Sequence, residues 1–264
     1  MSLAARVRGV GVVGPGLCGW AAAREALAGR APYVPAPTAL PAPQALPATE
    51  RRRAGKCVKL ALATGLEAAA AAGLDPASLA TVFASSSGDG ENCHAICETL
   101  ASDDRMISPT RFHNSVHNAP AGYWSIATGA TASADCIAAF DASFGAGLLE
   151  ALARLAAEPR DPVLLLAYDA PYPEPLHGAR PIPDAFGVAL ALGAPDERAQ
   201  GPLLRVDLVP GRPATMETPG LEALRAGIPA ARSLPLLALL ASGRAGSVAI
   251  AYLDDLALRI EVRP

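Results

Sequence analysis

Ser108-Pro109-Thr110-Arg111-Phe112-His113-Asn114-Ser115-Val116-His117-Asn118-Ala119-Pro120-Ala121-Gly122 is the most informative stretch of this chain. His113 and His117 have the spacing of two ligands on one helical turn. Pro109 and Pro120 bracket them, however, and proline interrupts a helix everywhere except its first turn. The segment therefore reads as a loop leading into a new helix, with the histidines in loop or interface packing rather than on a metal.

Working outward, Arg6–Val13 reads as a buried first strand ended by Gly14-Pro15-Gly16, and Gly19–Ala28 as a short Ala-rich helix. Pro32–Pro47 is too rich in proline for helix or sheet and reads as an ordered surface loop within the domain. A helix is expected from Thr49, as N-cap, to Gly73, with Val58, Leu62 and Leu66 on its core face. Its Arg51-Arg52-Arg53 run reads as a solvated helix end rather than a patch for an acidic partner. Thr81–Ala84 is the next strand and enters a small-residue loop, Ser85–Gly90, the kind of place where α/β proteins bind ligands. A helix near Asn92–Leu100 follows. On the far side of the central segment lie a short strand (Ala130–Ile137), an amphipathic helix (Ser143–Ala156) and a buried strand (Val163–Ala167). Further strands are expected at Phe186–Leu192 and Leu203–Val209, short helices at Leu221–Ala226 and Leu234–Ala241, and a hairpin of Ser247–Leu253 and Leu256–Val262 turning at Asp254-Asp255. Strands alternating with helices imply an α/β fold, a mixed and mostly parallel sheet covered by helices, in one domain over residues 1–264.

Composition narrows the function. Of 264 residues 51% are hydrophobic and 18% charged, with a net charge of -3, which supports a real core and gives no basic surface for nucleic acid. The N-terminus lacks the apolar core of a signal peptide, and no apolar run approaches the roughly 18 residues of a membrane helix. The five cysteines are expected as reduced thiols in the cytoplasm.

The central segment, with its surroundings, resembles the β-ketoacyl synthases. A Gly-rich first strand, a Pro-rich loop into an Arg-rich helix and a strand ending in a Ser/Gly loop come before it. After it come a small-residue strand, a helix ending Leu148-Leu149-Glu150-Ala151-Leu152 and a strand ending Tyr168-Asp169. The resemblance is strongest over residues 1–195, leaving a shortened remainder, 196–264. It implies a thiolase-like layered fold with an incomplete second half. It also implies that Phe112, His113, Asn114, His117, Asn118, Pro120 and Tyr123 line or buttress a dimer interface and acyl tunnel.

Ketosynthases use a cysteine thiolate at a strand-to-helix turn and two later histidines. Here the turn reads Cys136-Ile137-Ala138-Ala139-Phe140-Asp141-Ala142-Ser143. Matching the LLEAL helix to the family's nucleophile helix puts Phe140, beside Asp141, at the nucleophile position. An aromatic there is expected to block an acyl pocket by its volume. The only histidines are His94, His113, His117 and His177, so none follows position 177. The resemblance is thus to the small, cysteine-less ketosynthase-like proteins of aryl polyene and related type II polyketide or fatty-acid-like systems. These are chain length factors: non-catalytic subunits that pair with a complete ketosynthase as a heterodimer, visited by acyl carrier protein, with no cofactor and no metal.

Other readings remain open to the sequence. Cys136 could be a nucleophile, though free cysteines are commonly small buried hydrophobes. Ser143 lacks an identifiable base, and serines at helix starts are usually caps. Either would make the chain a stand-alone acyltransferase or hydrolase of the thiolase fold. A homodimeric binding module is a third reading. Cys93 and Cys97, with His94 and Glu98, share a helix, but tetrahedral zinc needs two more ligands. Asp103-Asp104 and Asp254-Asp255 read as turns. Gly9-x-Gly11-x-x-Gly14 matches a dinucleotide fingerprint only on paper, because its glycines fall within a strand.

Overall fold

The computed structural model describes residues 3–159, 161–196 and 200–264. In chain order the elements are β1 (Leu3–Gly14), β2 (Leu17–Cys18), α1 (Trp20–Leu27), α2 (Ala48–Arg53), α3 (Lys56–Ala71), β3 (Ala80–Ala84), α4 (Gly90–Ala101), α5 (Pro109–His113), α6 (Ala119–Thr128), β4 (Ala134–Ile137), α7 (Ser143–Ala157), β5 (Val163–Asp169), α8 (Leu176–Ala179), β6 (Phe186–Gly193), β7 (Leu203–Pro210), α9 (Pro219–Gly227), α10 (Leu234–Ser242), β8 (Gly246–Leu253) and β9 (Leu256–Arg263). One sheet runs β4-β3-β5-β6-β1-β7-β9-β8, with β2 attached to β1. No helix among the described residues is long and apolar enough to cross a membrane.

The sheet is mixed and has helices on both faces. Parallel pairing is confined to β4–β3–β5, narrower than the alternation of strands and helices suggests. The reason lies in the connections. Parallel neighbours need long crossovers: α4 to α6 lie between β3 and β4, and α7 lies between β4 and β5. After β5 the chain turns back and β6 pairs with it antiparallel, as do the remaining neighbours.

All seven residues of β5 are buried because the strand feeds two cores. Leu164, Leu166 and Tyr168 pack with α3 and α6, whereas Val163, Leu165 and Ala167 pack with α7 and the C-terminal helices. The layer holding α3 is unusually close to β1. A Cβ at Gly11 would lie 2.0 Å from the Thr64 carbonyl oxygen, and one at Gly9 would lie 2.1 Å from that of Ala68. The glycines that imitate a nucleotide fingerprint therefore serve helix–strand packing.

One helix was expected from Thr49 to Gly73, and the chain forms two. Helix α2 begins after Pro47, not Thr49, and Ala54 and Gly55 are extended. The break makes room for a cap. A Cβ at Gly55 would sit 2.3 Å from Asp89 Oδ2, and the other oxygen of Asp89 accepts the Asn92 amide at 3.0 Å to start α4. Asn114 Nδ2 donates to the Arg53 carbonyl at 3.0 Å, satisfying an end of α2. Gly73 does close α3, with φ +63°.

Substituting Gly11 by Ala forces a methyl group into the α3 backbone and is expected to destabilise the fold by about 1–3 kcal/mol or more. Gly122→Ala, where nothing stands within 4 Å of the new Cβ, should be neutral or slightly stabilising. Urea denaturation of both variants checks the contrast.

Candidate functional site

The parallel strands β3, β4 and β5 end on the same side of the sheet, and three loops meet there: Ser85–Gly88, Ala138–Ala142 and Asp169–Tyr172. Ligands in open α/β sheets bind at such strand ends.

Phe140 lies in the turn between β4 and α7 and is the one non-glycine among the described residues with a positive φ, +50°. A bulky residue holds that conformation only where its neighbours enforce it. Ser143 Oγ accepts the Ala139 amide at 3.0 Å and donates to the Phe140 carbonyl at 2.7 Å, stapling the turn from inside. Asp141 accepts Arg180 at 2.7 Å and Arg232 at 2.8 Å. The Arg180 guanidinium also lies 3.4 Å over the centroid of the Phe140 ring.

Within this chain the ring faces outward rather than into the core. It is 64% exposed, because the positive φ and the Arg180 stack aim it outward. It forms one wall of an open groove of about 760 Å³, with Asp141, Arg232, Tyr252 and the Asp254-Asp255 turn on the other sides.

Neither alternative nucleophile is poised. Burial, and then the charge of Asp135, push the Cys136 thiol up to about 11, so at neutral pH it is not the reactive thiolate. Ser143 is 1% exposed and both of its hydrogen bonds are internal to the turn. Among the described residues no histidine bonds to either. His113 stacks edge-on against Tyr123 at 6.2 Å, His117 Nε2 sits 3.3 Å from the Ser85 carbonyl, His94 pairs with Glu98 on α4, and His177 lies in α8.

The 108–123 segment splits into two sets. Phe112 and Val116, at 69% and 53% exposure, project into solvent, with His113 and Asn118 also exposed. Asn114, Pro120 and Tyr123 are buried, so within this chain they buttress and do not line a surface. The Tyr123 hydroxyl donates to Asn114 Oδ1 at 3.1 Å, which secures the buried hydroxyl. Leu100, Met106 and Ile126 are further exposed apolar side chains on the same stretch. Strand β4 is the terminal strand of the sheet and only four residues long.

Asp169 was not foreseen as a site residue. It is 2% exposed. Its Oδ1 accepts the Ser86 amide at 2.8 Å and the Ser86 and Ser85 hydroxyls at 2.7 and 3.3 Å. Its Oδ2 accepts the Ala230 amide at 2.8 Å. The carboxylate thus ties the β3 loop and the turn before α10 to the end of β5. A carboxylate closing a wholly apolar strand, VLLLAYD, is the signal that marks it. Burial outweighs these donors and raises its pKa to about 6.

That shift has a direction. The native state holds the proton more tightly than the unfolded chain, so the Asp169 contribution favours folding below about pH 4 and is lost as pH rises to about 6. The loss is on the order of 3 kcal/mol. Unfolding free energies measured between pH 4 and 8 for the native chain and Asp169→Asn should differ in slope over pH 4–6 and run parallel above it.

No curated protein sequence matches the chain. Among solved structures, it superposes on a chain of the ketosynthase ApeO in complex with its chain length factor ApeC from Xenorhabdus doucetiae, with 24% identity, TM-score 0.75, and 98% of this chain and 99% of that one covered. It likewise matches the ishigamide ketosynthase/chain length factor at 17% identity and TM-score 0.70, covering 99% of both chains. A third match is a type II polyketide acyl-carrier protein in complex with its ketosynthase, at 11% identity and TM-score 0.74, again covering 99% of both. At these identities the likeness establishes the fold, the thiolase-like architecture of ketosynthases. The β-ketoacyl synthase N-terminal domain pattern matches residues 20–244. This match takes in β3 to β7 and the whole Phe140 turn, and the chain belongs to the β-ketoacyl synthase N-terminal domain family.

Proposed function

We propose that this chain is a chain-length-factor-like subunit. It pairs with a complete ketosynthase and shapes the tunnel for the growing acyl chain, while the partner performs the chemistry. The observation that carries this reading is the Phe140 turn. Phe140, which we place at the family's nucleophile position, is held at φ +50° with its phenyl ring turned outward. Cys136 stands four residues earlier, inside β4, with its thiol pushed up to about 11.

The pairing surface we assign takes in the edge of β4 and the exposed apolar side chains Met106, Phe112, Val116 and Ile126. An unpaired sheet edge offers free backbone donors and acceptors. The exposed apolar side chains cost free energy to leave in water. The likeness to chains of solved ketosynthase complexes supports a partner of that kind. Acyl carrier protein would deliver substrate to the pair, in polyene- or polyketide-type elongation.

The test is co-expression with a complete ketosynthase encoded alongside, followed by size-exclusion chromatography and a product-length assay with malonyl carrier protein. A 1:1 complex is expected, split by the double change Phe112→Asp with Val116→Asp. Phe140→Cys should leave the elongation rate unchanged, and Phe112→Trp should shift product length. A stable homodimer acylated at Cys136 would instead identify a stand-alone acyltransferase and overturn the proposal.

A further inference from the structure

The Pro-rich loop spans a groove on the face of the molecule made by the outer side of α3. Both ends of the loop are tied down. Thr38 donates its amide to Asp184 Oδ2 at 3.0 Å and its hydroxyl to the Ala185 carbonyl at 2.7 Å. At the other end Leu46 is buried, and Arg51 Nη2 donates to the Leu46 carbonyl at 3.0 Å. Between these anchors residues 39–45 arch over α3 and leave a volume of about 510 Å³. That lies within the usual range for small-molecule sites, about 300–1,000 Å³.

The walls are apolar for reasons visible in the sequence. Leu62, Ala63 and Leu66 recur at i, i+1 and i+4 on α3, and Val13 closes the floor. Pro41 and Pro43 form the opposite wall. Proline has no amide hydrogen to offer and a fixed φ, so this wall lacks donors and resists collapse. Two charges frame the groove. Glu67 is committed, with its oxygens accepting the Val12 and Trp20 amides at 3.0 and 2.5 Å. Lys59 has no carboxylate partner among the described residues, whereas nearby Lys56 pairs with Glu91 at 2.9 Å. From Lys59 to Leu66 the helix advances roughly 10 Å, the length of a medium aliphatic chain.

We infer that this groove binds a straight-chain aliphatic carboxylate, with its tail along Leu62 and Leu66 under the prolines and its head on Lys59. Charge complementarity selects the occupant: Lys59, a cation without a carboxylate partner among the described residues, beside a long apolar trough fits an amphiphile with one anionic end. The site is separate from the Phe140 groove and does not depend on pairing with a ketosynthase.

Cys18 lines the groove and is exposed, so its reactivity reports occupancy without any activity assay. In a Cys93→Ser, Cys97→Ser background of the full chain, octanoate should slow modification of Cys18 by a thiol reagent at least fivefold. Octanol at equal concentration should protect less. Lys59→Met should weaken octanoate roughly three- to fivefold, the worth of a half-exposed ion pair, and erase its advantage over octanol. Ala63→Trp, which fills the trough, should abolish protection. Absence of protection by octanoate up to its solubility limit overturns the proposal, as does protection that survives Lys59→Met or Ala63→Trp undiminished.

Discussion

Helix α3 rests on the bare backbone of β1, and the rest of the molecule is arranged around that contact. At Gly9 and Gly11 the strand leaves no room for a Cβ, so the helix carbonyls of Ala68 and Thr64 come against the sheet itself. The closeness propagates. Gly65 on α3 admits the Trp124 ring of α6 and the Leu166 side chain of β5, a Cβ there meeting them at 2.7 and 2.6 Å. Phe83 then packs edge-on against both Trp124 and Tyr168. Interiors packed at this density do not yield locally, so the positions of α6 and of the 108–118 loop before it follow from two glycines about 100 residues upstream.

The strand ends above this core are organised by charge buried on purpose. Asp169 would ordinarily be expensive inside a protein, and its four donors come from two separate segments, Ser85-Ser86 and Ala230. Its role is to join loops that share no strand pairing. Asp141 does the same at the surface with Arg180 and Arg232, both only partly exposed. The turn between β4 and α7 is thereby a structural joint. Its strain at Phe140 is held by an ion-pair clamp, a hydroxyl staple and a cation over the ring.

The order of strands and helices was legible from hydrophobic pattern and from glycine and proline punctuation. Val163–Ala167, Ser143–Ala156 and the closing hairpin emerged within a few residues of their observed bounds. The family could be read from the ensemble of segments around Ser108–Gly122. The break at Ala54-Gly55 was not legible, because it depends on Asp89 and Asn114 arriving from elsewhere to cap the two helices. The extent of parallel pairing was not legible either, since a strand's own pattern does not name its neighbour.

The sequence by itself determined which segments could be buried, the absence of a cysteine at the turn, and the shortage of histidines in the later half; these are properties of composition and local period. Only the tertiary structure decided that Phe140 points outward, that Asn114 and Tyr123 are buttresses while Phe112 is surface, and that Asp169 is the hub of the strand ends. Several of those outcomes depend on partners far along the chain, such as Arg180 and Arg232 on Asp141 or Ala230 on Asp169. Burial and hydrogen bonding are settled by which distant groups the fold brings together, and that information lies in the packing of α3 against β1 rather than in any one stretch of chain.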